Sequence, residues 1–347
     1  MSSEETVNPE AMILEIQRMS TEDGPGIRTT VFFKGCSLKC SWCHNPESIS
    51  KHPQLHWVGN RCIGCKSCLE VCPQQALTLS ETGMVIDRTL CDGCGECAEE
   101  CPSTALELMG ETWQMSDLVD EVIKDKVYFD KSDGGVTISG GEPTLQPHFA
   151  ATFLKALKER GVQTALDTCG LCSQKALEMI LPYATMVLFD LKVMDSERHK
   201  RYTDVGNERI LASLDYIVGF MQSHVHPKTL WIRTPIIPGA TDTVENIRAI
   251  GAYIAEHASQ VVDRWELCAF NNLCLDKYQR LDLAWEFESA VLNRKEDMEH
   301  LAEAARSSGV NPEIVHWTGS TRLENDSKSE KDASDPLKIV NKGCMAP

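Results

Sequence analysis

Three cysteines, Cys36, Cys40 and Cys43, lie close together near the start of the chain. Thiolates are soft ligands that suit both iron–sulfur clusters and zinc. A [4Fe–4S] cluster that is held by only three thiolates leaves one iron open to a ligand from outside the protein. A Cys3His zinc site with His44 is the alternative, but neighbouring ligands at 43 and 44 would be awkward for a tetrahedral ion. The triad therefore favours a cluster with an open iron.

Two similar cysteine runs follow the triad, and each ends in proline. They are Cys62-x2-Cys65-x2-Cys68-x3-Cys72-Pro73 and Cys91-x2-Cys94-x2-Cys97-x3-Cys101-Pro102. The offset is 29 residues at every matching cysteine, which indicates an internal duplication. This is the spacing of bacterial ferredoxins, in which the fourth cysteine of a run ligates the other cluster. The runs therefore predict two [4Fe–4S] clusters, one held by Cys62, Cys65, Cys68 and Cys101 and the other by Cys91, Cys94, Cys97 and Cys72.

Zinc is again the alternative for these runs. A pair of structural zinc sites would favour Cys-x2-Cys knuckles that are separated by a longer gap, with four thiolates for each ion. Two runs of four cysteines, each followed by proline, fit iron–sulfur chemistry better. By itself this segment indicates only that electrons pass through it.

A further motif, Ser-Gly-Gly-Glu-Pro at residues 139–143, directly follows a predicted strand. The glycine pair, Gly140 and Gly141, would let the backbone approach a ligand closely. Glu142 could accept a hydrogen bond from a cationic amine. Most Gly-Gly pairs are only turns, so this motif gains meaning from the cysteine triad upstream of it.

Composition excludes several classes of protein. The chain has 347 residues, 34 basic and 51 acidic side chains and a net charge of −17, which argues against a nucleic-acid partner. We find no apolar run long enough to cross a membrane and no secretory signal at the start. Eleven of the 16 cysteines lie between positions 36 and 101. Such clustering is typical of metal ligation in a reducing compartment, so we expect a cytoplasmic protein.

The elements that must position these residues alternate between strands and helices. Strands are predicted at 28–33, 136–139, 162–167, 186–190, 229–233 and 264–268, with a weaker one at 313–316. A helix is predicted at 149–160, ended by Gly161. Alternation of this kind predicts a parallel α/β sheet with six or seven βα units. We expect a partial (β/α)6-type barrel with active residues at the carboxyl ends of its strands, and an open doubly wound sheet is the alternative.

The chain divides into four segments. Residues 1–46 would start the barrel, 47–112 would form an inserted ferredoxin-like α+β domain, and 113–320 would complete the barrel. The tail, residues 321–347, is rich in Ser, Asp, Glu and Lys, and its composition predicts disorder.

The triad and the glycine motif together resemble the radical S-adenosylmethionine (SAM) superfamily. The signature of that superfamily is Cys-x3-Cys-x-aromatic-Cys, and Trp42 fills the aromatic position. The resemblance implies that the open iron chelates the amino and carboxylate groups of SAM, and that the Gly-Gly-Glu-Pro segment contacts the SAM amino group. It also implies that an electron from the cluster cleaves SAM to a 5′-deoxyadenosyl radical. Trp42 and His44 would then lie beside SAM, although an isolated Trp is more often a core residue.

A closer resemblance, over roughly residues 12–317, is to the glycyl radical enzyme activating enzymes of the pyruvate formate-lyase activating enzyme family. The two-cluster insert resembles that of a subgroup of these activases. The carrying segments are residues 23–29, 33–46, 134–143, 166–170, 189–192 and 232–239.

This resemblance implies roles for further residues. Asp167, Thr168 and Asp190 match ligands of a monovalent cation beside SAM. Lys192 matches a residue near the SAM carboxylate, and Arg233 would face the same site. A buried ion pair between Asp190 and Lys192 is the plainer alternative for those two. Asn271 stands where the family has a His near the SAM ribose, so that contact is a departure from the family pattern.

The implied protein is a cytoplasmic, anaerobic oxidoreductase that installs a radical on a backbone glycine of a partner glycyl radical enzyme. Its cofactors would be three [4Fe–4S] clusters, SAM and a monovalent cation, and its electron donor flavodoxin or ferredoxin. One alternative is a radical SAM enzyme that acts on a small molecule or another protein, and the second is an electron-transfer protein. No role is assigned to Cys169, Cys172, Cys268, Cys274 and Cys344.

Overall fold

The described part of the chain, residues 8–322, is organised around a nine-stranded sheet in the computed structural model. Its first two strands, β1 (Glu10–Ser20) and β2 (Arg28–Phe33), pair antiparallel. β2 coincides with the predicted β-branched and aromatic run, and Val31 and Phe33 in it are fully buried. β1 is not among the predicted strands.

A unit of short elements follows the cysteine triad. It consists of β3 (Gln54–Trp57), α1 (Ser67–Val71), β4 (Leu77–Ser80), β5 (Gly83–Ile86), α2 (Glu96–Glu99) and β6 (Leu106–Met109). β3 pairs with β6 and β4 with β5, both antiparallel. The duplication of the sequence recurs in the backbone, since three pairs of left-handed residues are 29 positions apart: Gly64 and Gly93, Lys66 and Gly95, Gln75 and Thr104. The two cysteine runs therefore have the same local fold.

The remaining elements alternate as the sequence predicts. They are β7 (Glu111–Gln114), α3 (Met115–Ile123), α4 (Lys126–Ser132), β8 (Gly135–Gly140), α5 (Pro147–Glu159), β9 (Gln163–Thr168), α6 (Gln174–Ile180), β10 (Met186–Asp190), α7 (Ser196–Thr203), α8 (Glu208–Ser223), β11 (Thr229–Ile236), α9 (Val244–Tyr253), β12 (Val262–Ala269), α10 (Leu275–Arg280), α11 (Lys295–Arg306) and β13 (Val315–Thr318).

The order of the strands decides between the two predicted architectures. Across the sheet it is β13-β12-β11-β10-β9-β8-β2-β1-β7, and the seven strands from β13 to β2 are parallel. A doubly wound sheet would reverse its order at a switch point, and this order never reverses along the parallel strands. Within residues 8–322 no pairing joins β13 to β7, so the sheet does not close. The fold is therefore an open, partial barrel with seven parallel strands, one more than the (β/α)6 form.

Both faces of the parallel sheet are buried. In β10, Val187 and Phe189 belong to the core that the helices cover, whereas Met186 and Leu188 pack with Ala165 on the opposite, inner face. This alternation follows from the two-residue period of a strand. Because right-handed crossovers without order reversal put all helices on one side, the inner face lines the barrel.

The observed bounds differ modestly from the predicted ones. β10 has the predicted bounds, and α5 begins two residues earlier than predicted, at Pro147, whose fixed φ suits the first helical turn. Gly161 has φ +72° and follows the end of α5, as predicted. β13 lies later than the predicted 313–316, because Pro312–Ile314 forms a 3-10 turn.

The described region ends at Arg322, so the predicted disordered tail lies almost entirely outside it, together with Cys344. None of the helices within residues 8–322 combines the length and apolar character needed to cross a bilayer.

Candidate active site

Three charged side chains project from the inner face of the sheet near the carboxyl ends of neighbouring strands. Asp167 continues the inner-face row of Ala165 in β9, and Asp190 continues that of Leu188 in β10. Arg233 of β11 pairs in register with Asp190. The carboxyl ends of parallel strands meet at one edge, which is why the sequence places these residues together.

This edge opens into a cavity of about 270 Å³. Twelve of the predicted site residues line it: Cys36, Cys40, Trp42, Cys43, His44, Gly140, Gly141, Asp167, Thr168, Asp190, Lys192 and Arg233. Two predicted residues, Glu142 and Asn271, do not line it. The structure thus brings the triad and all but two of the predicted SAM contacts to one cavity.

The loop that carries the triad is held against the end of β2. The backbone N–H of Gly35 donates to the carbonyl of Ser48 at 2.7 Å, and that of Cys36 donates to Ile49 at 3.1 Å. Trp42 is buried, with its ring 5.7 Å from Tyr202 and 6.2 Å from Phe287. Trp42 is therefore both a core aromatic and a lining residue, which reconciles the two interpretations of it.

Burial sets the protonation of the triad thiols. It raises the pKa of Cys40 to about 12, and it also raises the pKa of Cys43. The pKa of Cys36 is lowered, chiefly by a hydrogen bond from the Cys169 thiol. Buried thiols of this kind become thiolates only beside a strongly positive group, and iron would supply one. Three soft ligands around one cavity fit an iron–sulfur cluster.

Within residues 8–322, no three Cys, His, Asp or Glu side chains are arranged to share a single metal ion. A [4Fe–4S] cluster does not require such a point, because each of its thiolate ligands binds a different iron.

The glycine pair of the Ser-Gly-Gly-Glu-Pro motif brings the end of β8 against the triad loop. Gly140 has φ +110°, and a Cβ there would lie 2.3 Å from the backbone nitrogen of Phe33. A Cβ on Gly141 would lie 2.1 Å from the carbonyl oxygen of Gly35. Both positions therefore require glycine, because backbone meets backbone there.

Glu142, expected to accept a hydrogen bond from a cationic amine, bonds to neighbouring protein groups in the structure. Its carboxylate is fully buried and accepts hydrogen bonds from the Thr144 hydroxyl at 2.7 Å, the Thr168 hydroxyl at 2.9 Å and the Cys169 backbone N–H at 2.8 Å. The Thr144 N–H also donates to it. Glu142 thus ties the loop after β8 to the loop after β9, and protein donors occupy its oxygens.

The charged side chains of the cavity are paired with one another. The Lys192 ammonium donates to Asp190 at 2.7 Å, which is the ion pair that the sequence analysis left as the plainer alternative. The Arg233 guanidinium lies 3.6 Å from Asp167, and Ser139 donates to the same carboxylate oxygen at 2.6 Å. Each positive group can therefore turn toward an incoming anion at the expense of its internal partner.

These pairings determine the charges. Burial raises the pKa of Asp167 to about 7, against the opposing attraction of Arg233. Burial alone would lower the pKa of Lys192, but Asp190 and the nearby Cys40 and Cys169 together outweigh it, and the net pKa of Lys192 is raised. Lys192 and Arg233 are consequently cationic at neutral pH, while Asp167 titrates near it.

The three residues predicted to bind a monovalent cation already have protein partners. The Thr168 hydroxyl donates to Glu142, Asp167 faces Arg233 and Asp190 faces Lys192. Carboxylate and hydroxyl oxygens of this kind suit a hard cation. The cation site remains a prediction.

Asn271, the residue predicted to lie near the SAM ribose, meets the cavity-lining His44 through its backbone. His44 lines the cavity, and its Nε2 lies 3.1 Å from the backbone carbonyl oxygen of Asn271. Burial lowers the pKa of His44, which favours the neutral ring. The Asn271 side chain instead accepts a hydrogen bond from the backbone N–H of Leu273 at 3.2 Å.

Two cysteines without a predicted role line the cavity. Cys169 follows β9, and Cys268 lies near the end of β12. Their position at strand ends was the signal that could have identified them, since the other lining residues share it. Cys172 and Cys274 are buried away from the cavity, in the main core and in a second aromatic core.

The cysteines of the two runs are also brought together, in the crosswise grouping. One small cavity is lined by Cys62, Cys65, Cys68 and Cys101, and another by Cys72, Cys91, Cys94 and Cys97. The first is bordered by Trp57 and Leu106, which pair in the β3–β6 ladder, and the second by the paired Leu55 and Leu108. The second set therefore lies nearer the start of β3, where the chain leaves the triad loop.

Comparison with known proteins gives the family. The chain matches the radical SAM superfamily over residues 30–249. It is 35% identical to a (2S)-3-sulfopropanediol dehydratase activating enzyme of Klebsiella oxytoca, over 87% of this chain and 96% of the relative. It is 39% identical to an isethionate sulfite-lyase activating enzyme of Oleidesulfovibrio alaskensis (85% and 94%) and 37% identical to an indoleacetate decarboxylase activating enzyme of Tractidigestivibacter scatoligenes (86% and 96%). The chain belongs to the radical SAM superfamily and, within it, to the glycyl radical enzyme activating enzymes.

Proposed function

We propose that this protein uses SAM to install a radical on a backbone glycine of a partner glycyl radical enzyme. The observation that carries the proposal is the single cavity that holds the whole Cys36, Cys40 and Cys43 triad together with Lys192 and Arg233. A triad with an open iron and two cationic side chains suits an amino-acid ligand whose carboxylate must be held beside the cluster. The partner's own substrate is not encoded in this site.

The triad cysteines would hold a [4Fe–4S] cluster, and the paired charges would position SAM. With one electron from the external donor, the bound cluster and SAM would supply a 5′-deoxyadenosyl radical, with methionine as the leaving group, for removal of a hydrogen atom from glycine. Lys192 would donate a hydrogen bond to the SAM carboxylate, with Asp190 keeping the ammonium charged and oriented. Arg233 would add a second cationic contact in the same cavity.

Apolar side chains complete the cavity on the side of β11 and β12. Pro235, Ile237, Ala269 and Phe270 line it, and Ile237 and Phe270 are buried. Such a wall excludes water from a reactive intermediate and prevents side reactions. The radical would thereby be reserved for a substrate backbone that reaches into the cavity.

We also propose that the unit between the triad loop and β7 is a ferredoxin-like insert with two [4Fe–4S] clusters. The crosswise grouping of its eight cysteines supports this proposal. We place the insert inside the segment 47–112, because Ser48 still bonds to Gly35 and β7 already pairs with β1. Residues before and after it, to about 320, would form the barrel.

The proposed partners are one large protein substrate and one small electron donor, flavodoxin or ferredoxin. The clustered thiols require a reducing compartment, so we propose a cytoplasmic, anaerobic setting. The contact between Asn271 and the SAM ribose, and the monovalent cation at Asp167, Thr168 and Asp190, belong to the same proposal.

A pair of cysteine variants tests the assignment of the clusters. With three clusters the reconstituted protein should contain about twelve iron atoms, and Cys40→Ala should retain about eight. Cys40→Ala should form no 5′-deoxyadenosine on anaerobic reduction with SAM, because the cluster that meets SAM is lost. Cys65→Ala, the matched control, should lose insert iron and still form 5′-deoxyadenosine. Normal SAM cleavage by Cys40→Ala would refute the site.

A further inference from the structure

The segment after β12 reaches back over the triad loop. We call residues 274–287 the strap, and it includes α10. The Tyr278 hydroxyl donates to the backbone carbonyl of Cys43 at 2.9 Å, and the Trp285 indole N–H donates to the carbonyl of Ser41 at 3.1 Å. Two side chains of the strap therefore hold the backbone of the loop that presents the second and third triad cysteines.

A lysine of the strap adds a third attachment. The Lys277 ammonium donates to the Asn45 side chain at 2.7 Å and pairs with the Glu47 carboxylate at 2.6 Å. Glu47 is buried, and its second carboxylate oxygen has no hydrogen-bond partner among the described residues. Removal of Lys277 would leave the buried Glu47 carboxylate without its direct ion-pair partner, although the Lys34 ammonium, which bonds the Glu47 carbonyl, lies nearby. This attachment is therefore not an incidental surface contact.

Aromatic packing also joins the strap to the triad loop. The Tyr278 and Trp285 rings stack with their centroids 5.2 Å apart, and Phe287 meets Trp42 of the triad edge-on at 6.2 Å. Aromatic contacts of this kind add to the stabilisation that burial gives. Movement of the strap would thus move the loop.

The other side of the strap is fastened to the insert. Arg88, three residues before Cys91, donates to the carbonyl of Arg280 at 2.7 Å and lies 3.3 Å from the Asp282 carboxylate. The same guanidinium donates to the carbonyl of Leu55 in β3 at 2.5 Å. Leu55 borders the cavity of the Cys72, Cys91, Cys94 and Cys97 set. One arginine therefore joins an insert cysteine set to the strap.

We propose that the strap couples the insert to the triad loop, with Tyr278, Trp285 and Lys277 as positioning residues for the loop and Arg88 as the link to the insert. The proposal rests on the proposed function, because it assigns these residues to the geometry of the SAM cluster. It adds a mechanical role for the insert that does not depend on electron transfer. A change at the Cys91 set should therefore weaken the binding of SAM, even when the triad is intact.

Two variants test the two halves of this coupling. Tyr278→Phe removes only the hydroxyl that bonds the carbonyl of Cys43. Arg88→Met removes the guanidinium that bonds the carbonyl of Arg280 and keeps an apolar side chain similar in length to the arginine stem. Each has a matched control. Tyr253→Phe removes a hydroxyl that bonds Asp215, and Arg61→Met removes a guanidinium that bonds Thr104 and Glu107 within the insert, beside Cys62.

The readouts are the dissociation constant of SAM and the electron paramagnetic resonance (EPR) spectrum of the reduced, reconstituted protein with SAM. Loss of one hydrogen bond that positions the loop should weaken SAM binding by about three- to tenfold and alter the SAM-dependent EPR line shape. We expect both effects in Tyr278→Phe and in Arg88→Met, and neither effect in Tyr253→Phe or Arg61→Met. The iron content of each variant should equal that of its control.

The proposed function, the positioning role of the strap and its coupling to the insert can each be refuted separately. If wild-type protein binds no SAM, the proposed function fails. If it binds SAM but Tyr278→Phe stays within twofold of wild type with an unchanged spectrum, the positioning role is refuted. If Tyr278→Phe has the expected effect while Arg88→Met matches Arg61→Met, the coupling to the insert is refuted.

Discussion

At the scale of single residues, the site is a set of charges that the fold keeps paired until a ligand arrives. Asp190 with Lys192, and Asp167 with Arg233, put two carboxyl groups and two cations in one cavity. Buried charges persist when they are paired and hydrogen-bonded, and Ser139 supplies such a bond to Asp167. An amino-acid ligand carries both charges and can replace both kinds of internal partner.

The pKa of Asp167 yields a direct prediction. Burial raises it to about 7, whereas the unfolded chain would have about 4. The folded carboxyl therefore keeps its proton while the unfolded one has lost it, so the contribution of Asp167 to the free energy of unfolding falls as the pH rises from about 4 to about 7. Infrared difference spectra against Asp167→Asn, without SAM, should show a protonated carboxyl that disappears as the pH passes about 7. A band already absent in mildly acidic buffer would contradict this account.

Glu142 yields a second prediction, because its buried carboxylate accepts hydrogen bonds from neighbouring protein groups. Glu142→Gln would replace an acceptor by an amide that presents N–H groups toward the donors Thr144, Thr168 and Cys169. A buried donor without an acceptor costs about 1–3 kcal/mol, so we expect a lower thermal unfolding temperature. Thr152→Ala, which removes an exposed hydroxyl on α5, is the control. An unchanged unfolding temperature with loss of SAM binding would instead favour a direct contact between Glu142 and SAM.

Residue types in the motifs were sufficient to predict most of the cavity lining, but not the direction of each side chain. Glu142 and Asn271 have the expected place in the chain and turn to other partners, because backbone N–H groups nearby needed an acceptor. Cys169 and Cys268 line the cavity although the sequence assigned neither of them a role. Side-chain direction depends on neighbours that are distant in sequence, and one sequence does not specify them.

At the scale of elements, the strands with β-branched and aromatic runs could be predicted, and the sheet could be inferred from their alternation with helices. β1 and β7 could not be predicted. β1 contains Glu15, Gln17 and Arg18 among its apolar residues, and β7 has only four residues at an edge of the sheet. Edge and antiparallel strands tolerate polar residues, so periodicity is weak there.

The contact between β8 and the triad loop gives a prediction at this scale. Gly141→Ala would place a Cβ 2.1 Å from the carbonyl oxygen of Gly35, so the loop must shift away from the end of β8. We expect iron to fall from about twelve to about eight atoms per chain, because the triad no longer closes around its cluster. Gly219→Ala in α8 has open space around its Cβ, and it should leave iron unchanged and add about 0.5–1 kcal/mol of stability. Full iron content in Gly141→Ala would show that the loop tolerates the shift.

At the scale of the whole molecule, the protein is an open, partial barrel. The unit of short elements that follows the triad loop contributes no residue to the cavity lining. Arg88 of the proposed insert bonds the strap of the barrel. Of the two cysteine sets, the Cys91 set lies nearer the start of β3 and the Cys62 set lies nearer its end. Within residues 8–322 no strand pairing joins β13 to β7, so the sheet that carries the cavity is open at that edge.

The net charge of −17 argues against nucleic acid as a partner, and it does not identify the protein partner. The relatives act on enzymes with different names, and they share with this chain 35–39% identity. The class of reaction is therefore common to these relatives, while the enzyme that each activates differs.

The most direct test of the central claim is an EPR measurement on the partner. The reduced protein should be mixed anaerobically with SAM and with a glycyl radical enzyme, chosen by sequencing the genes beside its own. We predict a glycyl radical signal on the partner that requires SAM and is absent when the partner's radical glycine is replaced by alanine. Formation of 5′-deoxyadenosine without a glycyl signal on that partner would contradict the account.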